Sequence, residues 1–107
     1  LRLMATCGEK RHPAFTQTPT LIEAGYRDVV ATGWTGLFAP TGTPADIVQK
    51  LSRETQRNMS TLEVRERMMN AGSEAAPSSA EAFSAFVKAE AAKWSKVIRL
   101  AGLEKSQ

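Results

Sequence analysis

Three helix-start signals divide the second half of this 107-residue chain into three predicted helices. The first signal is Thr43-Pro44 followed by Asp46, which combines a capping hydroxyl, a proline suited to the first helical position and an early acidic residue. The second and third are the capping-box sequences Ser60-Thr-Leu-Glu63 and Ser78-Ser-Ala-Glu81. We therefore predict helices whose N-caps are Thr43, Ser60 and Ser78.

Apolar residues at helical spacing predict which face of each helix is buried. The first helix is predicted to end near Met59, the second at Gly72 and the third at Gly102, because glycine adopts the left-handed conformation that ends a helix. The predicted inner positions of the first helix are Ile47, Val48, Leu51 and Thr55. The widest stripe lies on the third helix and contains Phe83, Phe86, Val87, Ala91, Trp94, Val97, Ile98 and Ala101.

Two short segments favour strands. Leu1 to Thr6 is largely apolar, and Val29 to Phe38 is rich in β-branched and aromatic residues around Gly33 and Gly36. The connection over residues 8–28 is long and contains one predicted helical turn that ends at a glycine. Few strands with three main helices predict an α/β fold, and since two strands form a poor sheet alone, we expect further strands to come from outside this chain.

Composition excludes several classes of protein. The net charge of +3 is spread over mixed acidic and basic residues, which is typical of a solvated helix surface, so no nucleic-acid partner is expected. Cys7 is the only cysteine, which excludes an intrachain disulfide and a cysteine-rich zinc site. No phosphate-binding loop is present, and we expect neither a metal nor a cofactor. The start at Leu1 is neither a signal peptide nor an initiator methionine, so we expect a piece of a longer precursor.

Several motifs carry a resemblance to a known family. They are Leu1-Arg-Leu-Met-Ala-Thr6, Arg11-His-Pro-Ala-Phe15, Thr18-Pro-Thr-Leu-Ile-Glu-Ala-Gly25 and above all Thr32-Gly-Trp-Thr-Gly-Leu-Phe-Ala-Pro-Thr-Gly-Thr-Pro44. The chain resembles the Bug family, the substrate-binding receptors of tripartite tricarboxylate transporters. The similarity continues through the last helix and covers essentially the whole chain, as the C-terminal portion of such a receptor.

The resemblance implies a periplasmic protein of two α/β lobes that closes over a small carboxylate and presents it to the membrane subunits of a transporter. By that resemblance, residues 1–28 form a strand and a long loop of one lobe, and residues 29–107 form a hinge-side strand and the helical part of the other. The glycine-rich loops that the family carries nearer its N-terminus are absent from this chain.

Four residues are candidates for ligand binding: Thr6, Thr32, Trp34 and Thr35. Thr6 ends the first predicted strand, where α/β proteins place their ligands, although its hydroxyl could equally serve its own loop. The resemblance places Thr32, Trp34 and Thr35 near the cleft, where two hydroxyls and a flat indole lie beside glycines that permit close approach. Trp34 could instead pack in a core or between lobes.

No residue pattern predicts catalysis. Cys7 and His12 could suggest a thiol–imidazole pair, but no orienting carboxylate is evident in the sequence. Thr43 is explained as a helix cap rather than an anion ligand. The predicted function is therefore a binding receptor, with a ligand-sensing module or the non-catalytic part of an enzyme as alternatives. Because we expect further strands to come from outside this chain, the isolated chain is expected to form a homo-oligomer.

Overall fold

The computed structural model describes residues 1–103 and divides the chain into two units. The first unit is Leu1–Phe38 and the second is Ala39–Gln107. The predicted assignment of residues 1–28 and 29–107 to two lobes of a receptor remains a prediction, because it concerns a larger protein than this chain.

The second unit consists of the three predicted helices. They are α1 at Ala45–Met59, α2 at Leu62–Asn70 and α3 at Ala80–Leu100, and both α2 and α3 pack on α1. Gly72 follows α2 and Gly102 follows α3 in the left-handed conformation, with φ angles of 77° and 66°. These helices and their glycine ends confirm the helical part of the predicted fold.

Each N-cap lies one residue later than predicted. α1 begins after Pro44, because the Thr43 hydroxyl donates to the carbonyl of Pro40 (2.8 Å) instead of accepting a helix amide. Thr61 caps α2 by accepting from the amide of Val64, and Ser79 caps α3 by accepting from the amide of Ala82. In the last two cases adjacent hydroxyl residues offer two possible caps, and the sequence pattern does not choose between them.

The predicted inner face of α1 is only half right. Val48 and Thr55 are half-buried, whereas Ile47 and Leu51 remain 45% and 47% exposed. The half-buried positions of α1 also include the polar residue Gln56, whose amide donates to the Ser52 carbonyl (3.2 Å). The contact surface of α1 is therefore rotated away from Ile47 and Leu51 toward polar side chains.

The long apolar stripe of α3 is not deeply buried, contrary to the prediction. Phe86, Trp94, Val97 and Ile98 are 41–45% exposed. The first turn of α3 lies beside the middle of α1, where Ser79, Ala80 and Glu81 share a shallow groove with α1 side chains. Since α1 has 15 residues and α3 has 21, the shorter helix does not cover the whole stripe of the longer one.

A polar residue lies within the α3 stripe. The Glu90 carboxylate, with its side chain only 14% exposed, accepts from the Trp94 indole nitrogen (3.0 Å) and from the Lys93 ammonium. The Lys93 ammonium also lies 5.3 Å from the centre of the Trp94 ring. These contacts fix the Trp94 side chain within its own helix.

The first unit contains neither of the two predicted strands as part of a sheet. Within residues 1–38 the pairing that the structure describes is a single parallel bridge between Thr6 and Thr20. The predicted strand Val29 to Phe38 forms no ladder, because a strand requires a neighbouring strand to accept its backbone hydrogen bonds. The structure therefore confirms the helices of the predicted α/β fold, but residues 1–103 do not form the predicted sheet.

The chain buries little surface. Its accessible area is 9179 Å², whereas two separate compact units of these lengths would together expose about 7,000 Å². Within residues 1–103, Ala75 is the buried apolar residue and Thr20 the buried polar one. Hydrogen bonds at caps and turns therefore contribute an unusually large part of the interactions that stabilise each unit.

The cap of α3 gives a direct test of this part of the fold. Replacing Ser79→Ala removes the acceptor of the Ala82 amide and should lower the free energy of unfolding by about 1 kcal/mol. Urea unfolding followed by helical circular dichroism measures this difference. Ser78→Ala is the matched control, and a larger loss in Ser78→Ala than in Ser79→Ala would place the cap at Ser78.

Candidate functional site

Thr6 is held by backbone hydrogen bonds on both sides. Its amide donates to the carbonyl of Pro19 (2.9 Å), and its carbonyl accepts from the amide of Leu21 (2.8 Å). The next carbonyl, that of Cys7, accepts from the amide of Ala31 (3.0 Å). Three separate segments of the first unit therefore meet at Thr6 and Cys7.

The hydroxyl of Thr6 is the most unusual group at this junction. Its Oγ1 is buried, and it has no hydrogen-bond partner among the residues that the structure describes. A buried hydroxyl without a partner costs free energy, about 1–3 kcal/mol in mutational data. Such a group marks a position where a ligand atom could supply the missing hydrogen bond.

Thr32 lies beside the same junction. A Cβ added to Gly8 would come 4.0 Å from the Thr32 methyl group and only 3.1 Å from the Lys10 carbonyl oxygen. The Lys10 carbonyl therefore leaves little room for a side chain at position 8. The structure therefore brings the segments of Thr6 and Thr32 together.

Trp34 and Thr35 lie two and three residues beyond Thr32 on the same segment. Both are exposed, Trp34 by 42%. Their place in the ligand site remains a prediction, as do the roles of Thr6 and Thr32.

A capping box that the sequence interpretation overlooked supports the junction. The Thr20 hydroxyl accepts from the Glu23 amide (3.1 Å), and the Glu23 carboxylate accepts from the Thr20 amide (2.8 Å). The turn then closes with a hydrogen bond from the Ala24 amide to the Thr20 carbonyl and ends at Gly25, whose φ is 99°. This confirms the predicted helical turn and its glycine end.

Arg11 joins this capping box to the preceding loop. Its Nε donates to both carboxylate oxygens of Glu23 (2.9 and 3.1 Å), and its Nη1 donates to the carbonyl of Thr16 (3.0 Å). The hydrogen bond from the Arg11 guanidinium holds the pKa of the Glu23 carboxyl below its ordinary value, and the Thr20 amide lowers that pKa further. The same carboxylate raises the pKa of Arg11.

Only the capping box of this network could have been predicted from the sequence. Thr20-Leu-Ile-Glu23 fits the capping-box pattern and could have been found by spacing alone. Arg11 lies 12 residues from Glu23, and no local pattern links two charges at that distance.

The thiol–imidazole pair of Cys7 and His12, which the sequence did not favour, is not supported by the contacts of His12 either. His12 Nδ1 accepts from the Ala14 amide (3.1 Å) and caps a short 3-10 helix at Pro13–Phe15, so its acceptor nitrogen serves the turn. Across residues 1–103, no group of three His, Cys, Asp or Glu side chains is placed to hold a metal ion. Over the same residues, each helix is too short or too polar to cross a bilayer.

Titration of the Glu23 carboxyl tests whether this network forms. Its lowered pKa means that its contribution to stability is complete above its ordinary pKa of 4.5 and is lost as the pH falls through the lower pKa of the folded state. We expect a carboxyl NMR titration to give Glu23 a pKa below 4.5, and Arg11→Gln to raise that pKa toward 4.5. Arg67→Gln, in the exposed pair with Glu63, is the control. A pKa of Glu23 that Arg11→Gln leaves unchanged would show that the two side chains do not pair in solution.

Comparisons with known proteins place the chain in a family. The model of the tripartite tricarboxylate transporter family receptor matches residues 1–103. The "UPF0065 protein in gbd 5'region" of Cupriavidus necator is 36% identical over all of this chain and 32% of its own length. The "UPF0065 protein in tcbD-tcbE intergenic region" of Pseudomonas sp. (strain P51) is 30% identical over 92% of this chain and 30% of its own length. "Protein BugT" of Bordetella pertussis is 28% identical over 95% of this chain and 31% of its own length.

No solved structure gives a significant match. The chain spans about a third of the length of the curated relatives that it matches. The family match covers nearly every residue, and it agrees with the resemblance carried by the motifs around Thr6, Thr18 and Thr32. The chain therefore belongs to the tripartite tricarboxylate transporter receptor family.

Proposed function

We propose that this chain is part of a periplasmic solute-binding receptor that captures a small carboxylate and delivers it to the membrane subunits of a tripartite tricarboxylate-type transporter. Membership of the family supports the role of a receptor. The main observation in favour of a ligand site at Thr6 is its buried hydroxyl, which has no hydrogen-bond partner among the described residues. A hydroxyl donor suits a carboxylate oxygen, because hydrogen bonds to charged groups are stronger than neutral ones.

The proposed ligand site comprises Thr6, Thr32, Trp34 and Thr35. Thr6 and Thr32 supply hydroxyl donors from adjacent segments. Trp34 supplies a flat apolar wall and Thr35 a further donor. Since Thr6 Oγ1 is shielded from solvent, ligand entry would require a local opening of the first unit, as expected of a receptor that closes over its ligand.

No step of this function requires a chemical reaction. A receptor needs positioned donors and a change of conformation, and neither depends on an acid–base pair or a cofactor. The charge pattern of the helices also supports a protein without a nucleic-acid partner.

Removing the Thr6 hydroxyl tests the proposed site. In a full-length receptor that contains this chain, Thr6→Val should weaken citrate or succinate binding about 10- to 100-fold, because a hydrogen bond to a charged group is lost. Isothermal calorimetry measures the affinity, after mass spectrometry of co-purifying small molecules has guided the choice of carboxylate. Thr41→Val, at an exposed position of the second unit, is the control and should bind normally.

Two results would contradict the proposal. An unchanged affinity in Thr6→Val would remove Thr6 from the site, and the same measurement on Thr35→Val decides the place of Thr35. Equal affinity for succinate and for neutral succinamide would exclude recognition of the carboxylate charge.

We further propose that the isolated chain forms a homo-oligomer. Its accessible area exceeds that of compact units by about 2,000 Å², which is the size of a substantial protein interface. Apolar side chains of α1 and α3 contribute to this surface, among them Ile47, Leu51, Val97, Ile98 and Leu100.

Light scattering across a dilution series tests the association. We expect a mass above 11.6 kDa that falls on dilution, and a lower mass at equal concentration for Ile98→Lys. Ser95→Lys, at an exposed position away from the apolar stripe, is the control for added charge. A folded monomer at all concentrations would refute the proposal.

A further inference from the structure

Few hydrogen bonds hold Thr6 in position: the two of its own backbone and the neighbouring one from the Ala31 amide to the Cys7 carbonyl. An isolated bridge contributes two backbone hydrogen bonds, while closing the loop between Thr6 and Thr20 costs conformational entropy. A bridge without a neighbouring ladder is marginal in water. Other interactions must therefore hold residues 7–19 in place for the Thr6 hydroxyl to keep a defined position.

The Glu23 carboxylate connects the bridge to the loop. Its Oε2 accepts from the Thr20 amide (2.8 Å) and from Arg11 Nε (2.9 Å). Arg11 reaches the Thr16 carbonyl through Nη1 (3.0 Å), so one guanidinium ties the middle of the loop to the turn that begins at Thr20. Arginine suits this role because its rigid fork of donors can bind two acceptors at once.

The exposure of the pair indicates what it contributes. The Arg11 and Glu23 side chains are 44% and 45% exposed, and exposed ion pairs add little to global stability. Thr20 by contrast is only 1% exposed, and the residues on either side of it bond to the backbone of Thr6. The charged pair therefore acts mainly on local geometry, through the Thr20 turn and onto Thr6.

We infer that Arg11 and Glu23 are positioning residues that fasten the loop over residues 7–19 and thereby place the Thr6 hydroxyl for ligand binding. This inference rests on the proposed function, in which Thr6 donates to a carboxylate. Neither side chain touches the ligand. Their effect on binding passes through the Thr20 amide and the two backbone hydrogen bonds of Thr6.

The variant Glu23→Gln separates the two roles of Glu23. The amide oxygen of glutamine can still accept from the Thr20 amide, but the neutral side chain gives up the charged contact with Arg11. Arg11→Gln removes the same contact from the other side, and Arg11→Lys keeps the charge without the fork. The matched control is Glu63→Gln, which breaks the exposed pair with Arg67 in α2.

Two measurements on the full-length receptor test the inference. Amide hydrogen exchange at Thr6 and Leu21 reports the bridge directly, because both amides form its hydrogen bonds. Calorimetry with citrate reports the affinity and, separately, the fraction of binding-competent protein. A merely structural defect lowers the competent fraction, whereas a positioning defect raises Kd at unchanged stoichiometry.

We expect Glu23→Gln and Arg11→Gln to lose about 10-fold in protection at Thr6 and Leu21 and about 10-fold in citrate affinity, corresponding to roughly 1.4 kcal/mol. Arg11→Lys should recover part of both losses, and Glu63→Gln should change neither. Unchanged protection in Glu23→Gln and Arg11→Gln would overturn the inference, and so would a reduced competent fraction at unchanged Kd.

The Thr6→Val variant keeps this inference distinct from the proposed function. If Thr6→Val weakens citrate binding and Glu23→Gln does not, Thr6 is a ligand residue and the positioning inference is wrong. If exchange increases in Glu23→Gln but neither variant changes the affinity, Thr6 lies outside the site, and both the ligand site and the positioning inference fail.

Discussion

The first unit depends on the two backbone hydrogen bonds that join Thr6 to the residues flanking Thr20. They take the place of the sheet that a strand at this position would ordinarily enter. Because they are only two, the turn beginning at Thr20 must be ordered by its own capping box and by Arg11. The buried hydroxyl of Thr6, which has no hydrogen-bond partner within residues 1–103, lies where these interactions converge.

The second unit shows the same dependence on local interactions. Its helices are fixed by caps at Thr61 and Ser79 and by the glycines that follow α2 and α3, while the apolar stripe of α3 stays partly exposed. Local signals define helices without a large core, but they cannot by themselves bury 15 to 21 residues of amphipathic surface. The relatives are about three times as long as this chain, so we expect additional chain to provide much of the missing cover.

Sequence reasoning succeeded where structure is decided within a few residues. The end of α1 at Met59 and the turns at Gly72 and Gly102 were predicted correctly, because caps and left-handed glycines act locally. The N-caps were displaced by one residue. The strand over Val29 to Phe38 was wrong for this chain, because strand formation depends on a partner that local residues do not specify.

The same distinction between local and long-range interactions applies to the candidate site. Thr6 was predicted as a ligand residue from its place at the end of an apolar segment, and this role stays a prediction. The structure brings the segment of Thr32 beside Cys7 and Gly8, the residues that follow Thr6. The pairing of Arg11 with Glu23 spans 12 residues and became visible only in three dimensions.

The most direct measurement of the proposed site is an NMR titration of threonine methyl groups in a full-length receptor with citrate. Ligand binding at this junction would shift the methyl signals of Thr6 and Thr32 and leave those of Thr55 and Thr61 unchanged, whereas unmoved Thr6 and Thr32 signals at saturating citrate would contradict a carboxylate site here.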